Sequence, residues 1–240
     1  MTQTIIDKKD YLTINKEGLE FVDIAITTTN IDAKNLDDVN NAFKDVFTLK
    51  NLSKNKQIHS NIVNKVDKDN IGQIIDGDAI ITNEKNVPLL ILTADCVPVV
   101  LVDKVNKAVG LVHAGWRGTY GKICSETLQS MKENYNTNPE DVVAIIGPSI
   151  GKCCYEVSYD LVEKFSALLP NADEKIYEIR DEKYYLDLWE INTQILKEFG
   201  VLKSNIINMN ICTSCNCNRF FSYRKHDKTT NRIGTFIEIK

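Results

Sequence analysis

A thiol at Cys96 and imidazoles at His59 and His113 are the groups of this chain best suited to chemistry. Cys96 stands in Thr93-Ala94-Asp95-Cys96-Val97-Pro98, His113 opens His113-Ala114-Gly115-Trp116-Arg117-Gly118, and His59 lies upstream in Gln57-Ile58-His59-Ser60. One cysteine and two histidines match the three-ligand set of an open zinc site, whose fourth position is left to water or substrate. A thiolate and two neutral imidazoles leave such an ion one net positive charge, enough to attract an anion or acidify a bound water. Cys96 could equally serve as an activated thiolate that attacks a substrate, with a histidine as its base. Taken one at a time, a histidine on a strand is more often a hydrogen-bonded structural group than a ligand, so residue types alone leave these roles open.

The neighbouring residues divide in the same way. Asp95 either orients a histidine or moves protons, or it caps the turn in which it sits. Arg117, among Gly115, Gly118 and Gly121 where a strand gives way to a helix, can hold phosphate or another anion; a tight turn with Trp116 in the core and Arg117 in a surface ion pair is the plainer reading. Cys212, Cys215 and Cys217 have the spacing of a metal knuckle and Cys153-Cys154 is a further pair, but neither group completes a site by itself. The zinc-deaminase signature is absent, since no Glu stands two residues after His59 or His113. His226, between Lys225 and Asp227, is expected in solvent.

Stepping outward, the elements that must position these residues are short apolar runs. Gly77 to Ile81, Pro88 to Leu92, Val99 to Val102 and Ala108 to His113 predict core strands, and the polar Asp103 to Lys107 predicts a hairpin between the last two. That hairpin would bring Cys96, just before it, near His113 at its end. Gln57 and His59 are placed on a strand, their i, i+2 spacing sharing one face. Cys124, Leu128, Met131 and Tyr135 form one helical stripe, which makes Cys124 a core residue. Further helices are expected over Asn35 to Leu49, from Ser158 to Pro170, and from Asp187, an N-cap with Glu190 at N3, to a left-handed stop at Gly200. Val142 to Ile146, Asn205 to Ile211, Arg232 to Ile239 and Phe21 to Ile26 read as strands.

Composition bounds the function. The 240 residues, 43% hydrophobic, suffice for a sizeable core, and no repeat or clear linker divides them. The expectation is a single α/β (α+β) domain over 1–240, mixed β-sheets flanked by helices, with residues 1–20 as a peripheral strand or extension. A net charge of −4 without a basic stripe excludes nucleic acid as an expected partner. No apolar segment is long enough to span a bilayer and no leader precedes the first strands, so a cytoplasmic monomer with reduced thiols is expected.

In order along the chain stand Gln57-Ile58-His59-Ser60, Gly77-Asp78-Ala79, Thr93 to Pro98, His113 to Gly118, Ile146-Gly147-Pro148-Ser149-Ile150, Cys154-Tyr155-Glu156-Val157 and Phe220-Phe221-Ser222-Tyr223-Arg224. With these motifs the chain resembles the laccase-domain, or YfiH-like, proteins from about residue 20 onward. That family goes under the names polyphenol oxidase, purine nucleoside phosphorylase and peptidoglycan editing factor. The resemblance implies zinc held by His59, Cys96 and His113, and phosphorolysis of purine nucleosides (adenosine, inosine, guanosine, methylthioadenosine) with adenosine deamination as a second reaction. The substrates would be a purine nucleoside and phosphate, with Arg117, Gln57 and Asp95 as substrate-binding candidates. An alternative is a cysteine hydrolase or amidase acting on a peptidoglycan precursor through Cys96. A copper oxidase is disfavoured, because three histidines cannot furnish a multinuclear copper centre. The chain departs from the family near its start, where Thr27-Thr28-Thr29-Asn30 replaces an arginine-bearing Thr-Thr-Arg and no glycine pair follows.

Overall fold

The computed structural model describes residues 4–170, 172 and 175–240. The chain opens with β1 (Thr4–Asp7), β2 (Tyr11–Asn15), β3 (Val22–Thr27) and helix α1 (Leu36–Phe43), followed by β4 (Ser53–Lys54) and β5 (Val63–Lys65). Four core strands come next, β6 (Ala79–Thr82), β7 (Leu89–Thr93), β8 (Val97–Asp103) and β9 (Ala108–Ala114), then α2 (Trp116–Tyr120), α3 (Ile123–Tyr135) and β10 (Val142–Ile146). The last third carries β11 (Glu156–Val157), α4 (Tyr159–Leu168), β12 (Tyr177–Arg180), β13 (Lys183–Leu186), α5 (Leu188–Phe199), β14 (Ile206–Asn208) and β15 (Ile233–Ile239).

These strands form two six-stranded sheets, ordered β1-β2-β3-β15-β7-β4 and β14-β10-β8-β9-β6-β5, and a small sheet β11-β13-β12. The period-2 alternation of side chains decides how they stack. Val100, Val102, Val109 and Leu111 of the second sheet meet Ile24, Ile26, Leu89 and Ile237 of the first in one buried cluster. The alternate residues Val97, Val99, Leu101 and Val112 face the other way, onto Cys124, Leu128 and Met131 of α3 and Ile191 and Ile195 of α5. On the far side, Ala25, Leu90 and Phe236 of the first sheet pack against Val39 and Phe43 of α1. The order is therefore helix, sheet, sheet, helices. Because the central strands are covered on both faces they read as unbroken apolar runs, and each fully buried Val, Leu or Ile contributes about 1.5–3 kcal/mol of transfer free energy.

Several expectations hold in detail. Asp187 caps α5 by accepting from the Glu190 N–H, and Gly200 ends it at φ 112°. Cys124 is fully buried and His226 is exposed. Other elements differ. The helix expected over Asn35 to Leu49 stops at Phe43, after which Phe47 packs into the same cluster from a turn. The strand expected over Asn205 to Ile211 is confined to β14. Residues near the N-terminus form a hairpin, β1 with β2, on the outer edge of the first sheet. Among the described residues, no helix is long and apolar enough to cross a membrane.

Two chain crossings between the sheets determine where the functional groups lie. β7 belongs to the first sheet and β8 to the second, so Ala94-Asp95-Cys96 is the link between them. β4 and β5 are likewise in different sheets, and the connecting segment carries His59 over the same end of the sandwich. The β8–β9 register sets Pro98 opposite His113, and β6–β9 pairing sets Ala79 opposite Val112.

Candidate metal centre

His59, Cys96 and His113 come together: one ligand atom from each lies within 4.8 Å of the others. The two imidazole rings meet nearly edge to face, with centroids 4.9 Å apart. Cys96 and His113 arrive as the hairpin register predicts. His59 does not sit on a strand with Gln57, as the spacing suggested. It occupies a turn with φ 60°, a left-handed conformation that few non-glycine residues adopt.

The cause is Asp78, a residue to which sequence reasoning gave no role. Its carboxylate is fully buried at the start of β6. One oxygen accepts from His59 N (3.0 Å) and pairs with His113 Nδ1 (2.7 Å). The other accepts from Ile58 N (3.1 Å), Ser60 N (2.6 Å) and Ser60 Oγ (2.7 Å). Three consecutive N–H groups turned onto one carboxylate cannot take part in a strand ladder, which is why residues 57–60 coil. The same contact holds the proton on His113 Nδ1 and directs Nε2 toward Cys96.

Burial alone would raise the Asp78 pKa, but the His113 and Ser60 hydrogen bonds hold the carboxyl well below the usual carboxylate range. Burial also disfavours the Cys96 thiolate, yet hydrogen bonds and charge from His113 and His59 outweigh it and bring the thiol down to about 6. Burial lowers the His113 pKa, whereas Asp78 and Cys96 raise it further, to about 9. In metal-free protein a thiolate–imidazolium pair therefore exists between these values. A depressed thiol pKa keeps the reactive anion present above about 6 and loses it as pH falls through that value. Iodoacetamide labelling of the Cys96 peptide, followed by mass spectrometry, is expected to show a midpoint near pH 6, while Cys124, pushed up to about 12, stays unlabelled. A Cys96 midpoint near the ordinary thiol value of 9.0 would contradict this geometry.

The donor set suits a metal ion. Gly115, at the N-terminus of α2, leaves it room: a Cβ there would lie 3.2 Å from both Cys96 Sγ and His59 Cδ2. With φ −64° and ψ 167° its backbone suits any residue, so space rather than conformation favours glycine.

The three groups open into a cavity of about 880 Å³. Arg117 lines it, with its guanidinium 4.3 Å from the Trp116 ring centroid. Gln57 and Asp95 line it too, with their polar atoms already engaged. Gln57 brackets Leu92 of β7, donating to its carbonyl and accepting from its N–H at 2.8 Å each. Asp95 accepts from Thr213 Oγ1 (2.6 Å) and from Arg224 N (2.7 Å), so its carboxylate clasps the C-terminal loops. Sequence reasoning missed Lys34, Lys56, Arg224 and Arg232, cavity-lining cations that come from three separate connections, the two arginines both from the one between β14 and β15, and Tyr155 and Tyr223 beside them. In the Thr27-Thr28-Thr29-Asn30 segment, Asn30 Nδ2 donates to Asp10 Oδ1 at 2.9 Å.

The cysteines that completed no site in sequence do meet in space. Cys153, Cys154, Cys212 and Cys215 form a second group with ligand atoms within 4.8 Å of one another, and Cys217 is not part of it.

A two-sheet α/β fold with a histidine–cysteine–histidine cluster at the mouth of a cationic cavity defines a protein with a candidate single-metal pocket. The chain belongs to the family described as multi-copper polyphenol oxidoreductase laccase, whose model matches residues 25–240. It is similar to the purine nucleoside phosphorylase YlmD of Bacillus subtilis, with 36% identity over 192 residues, covering 77% of this chain and 69% of that one. A purine nucleoside phosphorylase of Clostridium acetobutylicum is 34% identical over 228 residues, covering 95% of this chain and 90% of its own. The crystal structure of YlmD from Geobacillus stearothermophilus superposes with a TM-score of 0.90 at 28% identity, covering 98% of both chains.

Proposed function

We propose that the chain is a zinc-dependent purine nucleoside phosphorylase acting on adenosine, inosine, guanosine and methylthioadenosine, with adenosine deamination as a second activity. The observation that carries this reading is the junction of the His59–Cys96–His113 cluster with a cavity walled by cations and tyrosines, in a chain whose relatives bear the phosphorylase name. In phosphorolysis a phosphate oxygen bonds to C1′ as the C1′–N9 bond breaks, and the base leaves with that electron pair. Lys34, Lys56, Arg117 and Arg232 supply the positive charge that draws phosphate dianion into the cavity and sets it against the cationic ribose of the transition state. Tyr155 and Tyr223 offer ring faces for the purine and hydroxyls for its edge. Gln57 and Asp95 shape the wall by fixing β7 and the C-terminal loops. Zinc held by His59, Cys96 and His113 would supply Lewis-acid charge beside the substrate.

A multicopper oxidase reading is disfavoured, because a multinuclear copper centre needs more imidazoles than the chain holds. Three histidines are present in the chain, and His226 is occupied elsewhere, accepting from Ser222 N at 3.2 Å. A single-domain reading is supported by the apolar cluster that the two large sheets share.

Purified protein given inosine is expected to release hypoxanthine and ribose 1-phosphate only when phosphate is present. Base release that ignores phosphate would make it a hydrolase, and no release from any of the four nucleosides would end the proposal.

A further inference from the structure

We propose that Cys153, Cys154, Cys212 and Cys215 form a second metal site, a closed four-thiolate zinc centre that fastens together the two loops framing the cavity. All four Sγ atoms lie within 4.8 Å of one another. Zinc–sulfur bonds of about 2.3 Å in a tetrahedron place neighbouring sulfurs about 3.8 Å apart. Cys215 Sγ is 3.5 Å from Cys153 Sγ and 3.4 Å from Cys154 Sγ. A disulfide requires one partner at about 2.05 Å, and here no pair is singled out. The spacing is that of four ligands around a common centre.

The backbone is arranged for thiolates as well. Cys212 Sγ accepts from Gly151 N at 3.3 Å and from the Cys215 N–H, the turn geometry by which a C-x-x-C pair stabilises charge on its first sulfur. Arg180 donates to the carbonyls of Lys152 (2.8 Å) and Cys153 (3.1 Å), setting a fixed cation beside the cluster. Backbone bonds already align the two loops: Ser149 N donates to Ile211 O (3.1 Å) and Thr213 N to Ser149 O (3.0 Å). Binding is an exchange without redox change. Four thiols release four protons to solvent as four zinc–sulfur bonds form, and no position remains for substrate.

The centre acts on the cavity through what these loops carry. Ile150 N donates to Asp95 O (2.9 Å), Thr213 Oγ1 to Asp95 Oδ1 and Arg224 N to Asp95 Oδ2, and Asp95 adjoins Cys96. Ile150 and Tyr155 line the cavity from one loop, Tyr223 and Arg224 from the other.

The proposal is independent of the catalytic reading and is tested by metal content. Protein purified without added metal is expected to carry one equivalent of zinc on this cluster by plasma mass spectrometry, and a second where the His59–Cys96–His113 site is also filled. His59→Ala/Cys96→Ala, which removes the first site, is expected to keep one equivalent and to lose it when Cys215→Ser is added. Cys217→Ser, outside the cluster, keeps the zinc of this cluster. Cobalt loaded into His59→Ala/Cys96→Ala is expected to show the intense near-ultraviolet thiolate charge-transfer bands of a tetrahedral four-sulfur site. A metal-free His59→Ala/Cys96→Ala protein that stays folded by circular dichroism overturns the proposal, whether its four thiols label freely or mass analysis finds a disulfide among them. If the Cys215→Ser variant fails to fold, the metal content and cobalt spectrum of His59→Ala/Cys96→Ala decide alone.

Discussion

Asp78→Asn is expected to destabilise the folded protein by about 3–5 kcal/mol and to weaken metal binding at the His59–Cys96–His113 cluster about 10–100-fold, although Asp78 contributes no ligand atom. Its two oxygens face donors only: His59 N and His113 Nδ1 on one, Ile58 N, Ser60 N and Ser60 Oγ on the other. An asparagine must present its NH2 to one of these sets. In either orientation a donor meets donors in a fully buried place. His113 then loses the partner that fixes its tautomer, and the 58–60 turn loses the anion that holds His59 at positive φ. The Asp78 carboxyl is held well below its ordinary range, so its contribution is complete above the unfolded value and is lost only in strong acid. Titration of Asp78 itself therefore leaves the difference unchanged at neutral pH, but the difference shrinks as pH rises from about 6.5 toward 9, because the His113 charge that Asp78 supports is lost over that range. Urea unfolding of the metal-free forms and competitive zinc titration measure both effects. A variant with unchanged midpoint and unchanged zinc affinity would show that Asp78 does not organise the centre.

What could be read in the sequence follows from which forces are local. The β8–β9 hairpin was legible because its two apolar runs and short polar turn depend on neighbours in the chain, and its register carries Cys96 and His113 to one end. The caps of α5 at Asp187 and Gly200 are local in the same sense. The conformation of His59 was not legible, because its cause is a carboxylate immediately before β6 that reads in sequence as an ordinary turn residue before an apolar run. The assignment of β7 and β8 to different sheets also escaped: both are unbroken apolar runs, since both lie between layers, and only the partner strand β15 tells them apart. The cavity's cations follow the same logic. Lys34, Lys56 and Arg232 look like solvated charges in their own segments, and crossings between sheets bring them to one wall. The two cysteine pairs needed the Ser149–Cys212 bridge between β10 and β14 loops before they could be seen as one cluster.

On the proposed function, Cys96→Ala is expected to reduce phosphorolysis at least about 10³-fold, and a second substitution then identifies what the sulfur does. The thiol has the properties of both a ligand and a nucleophile: a pKa brought down to about 6, imidazoles on two sides, and an opening to the cavity. Alanine removes both functions and cannot separate them. Cys96→Asp can. A carboxylate at this position still offers an anionic oxygen to an ion shared with His59 and His113, whereas it is not equivalent to a thiolate that must form and release a covalent adduct. The ligand role predicts that Cys96→Asp retains metal above the alanine level and recovers activity about 10–100-fold over it, in proportion to occupancy. The nucleophile role predicts that both variants are equally inactive and that wild-type protein quenched during turnover carries a substrate mass on the Cys96 peptide. Geometry favours the first outcome. His113 Nδ1 is committed to Asp78, so its remaining nitrogen is turned toward the sulfur, and His59 is held on the other side by the same carboxylate. Two imidazoles fixed around one thiolate by a common buried anion leave the sulfur converging with them on a single point, which is what an ion requires and an attacking thiolate does not.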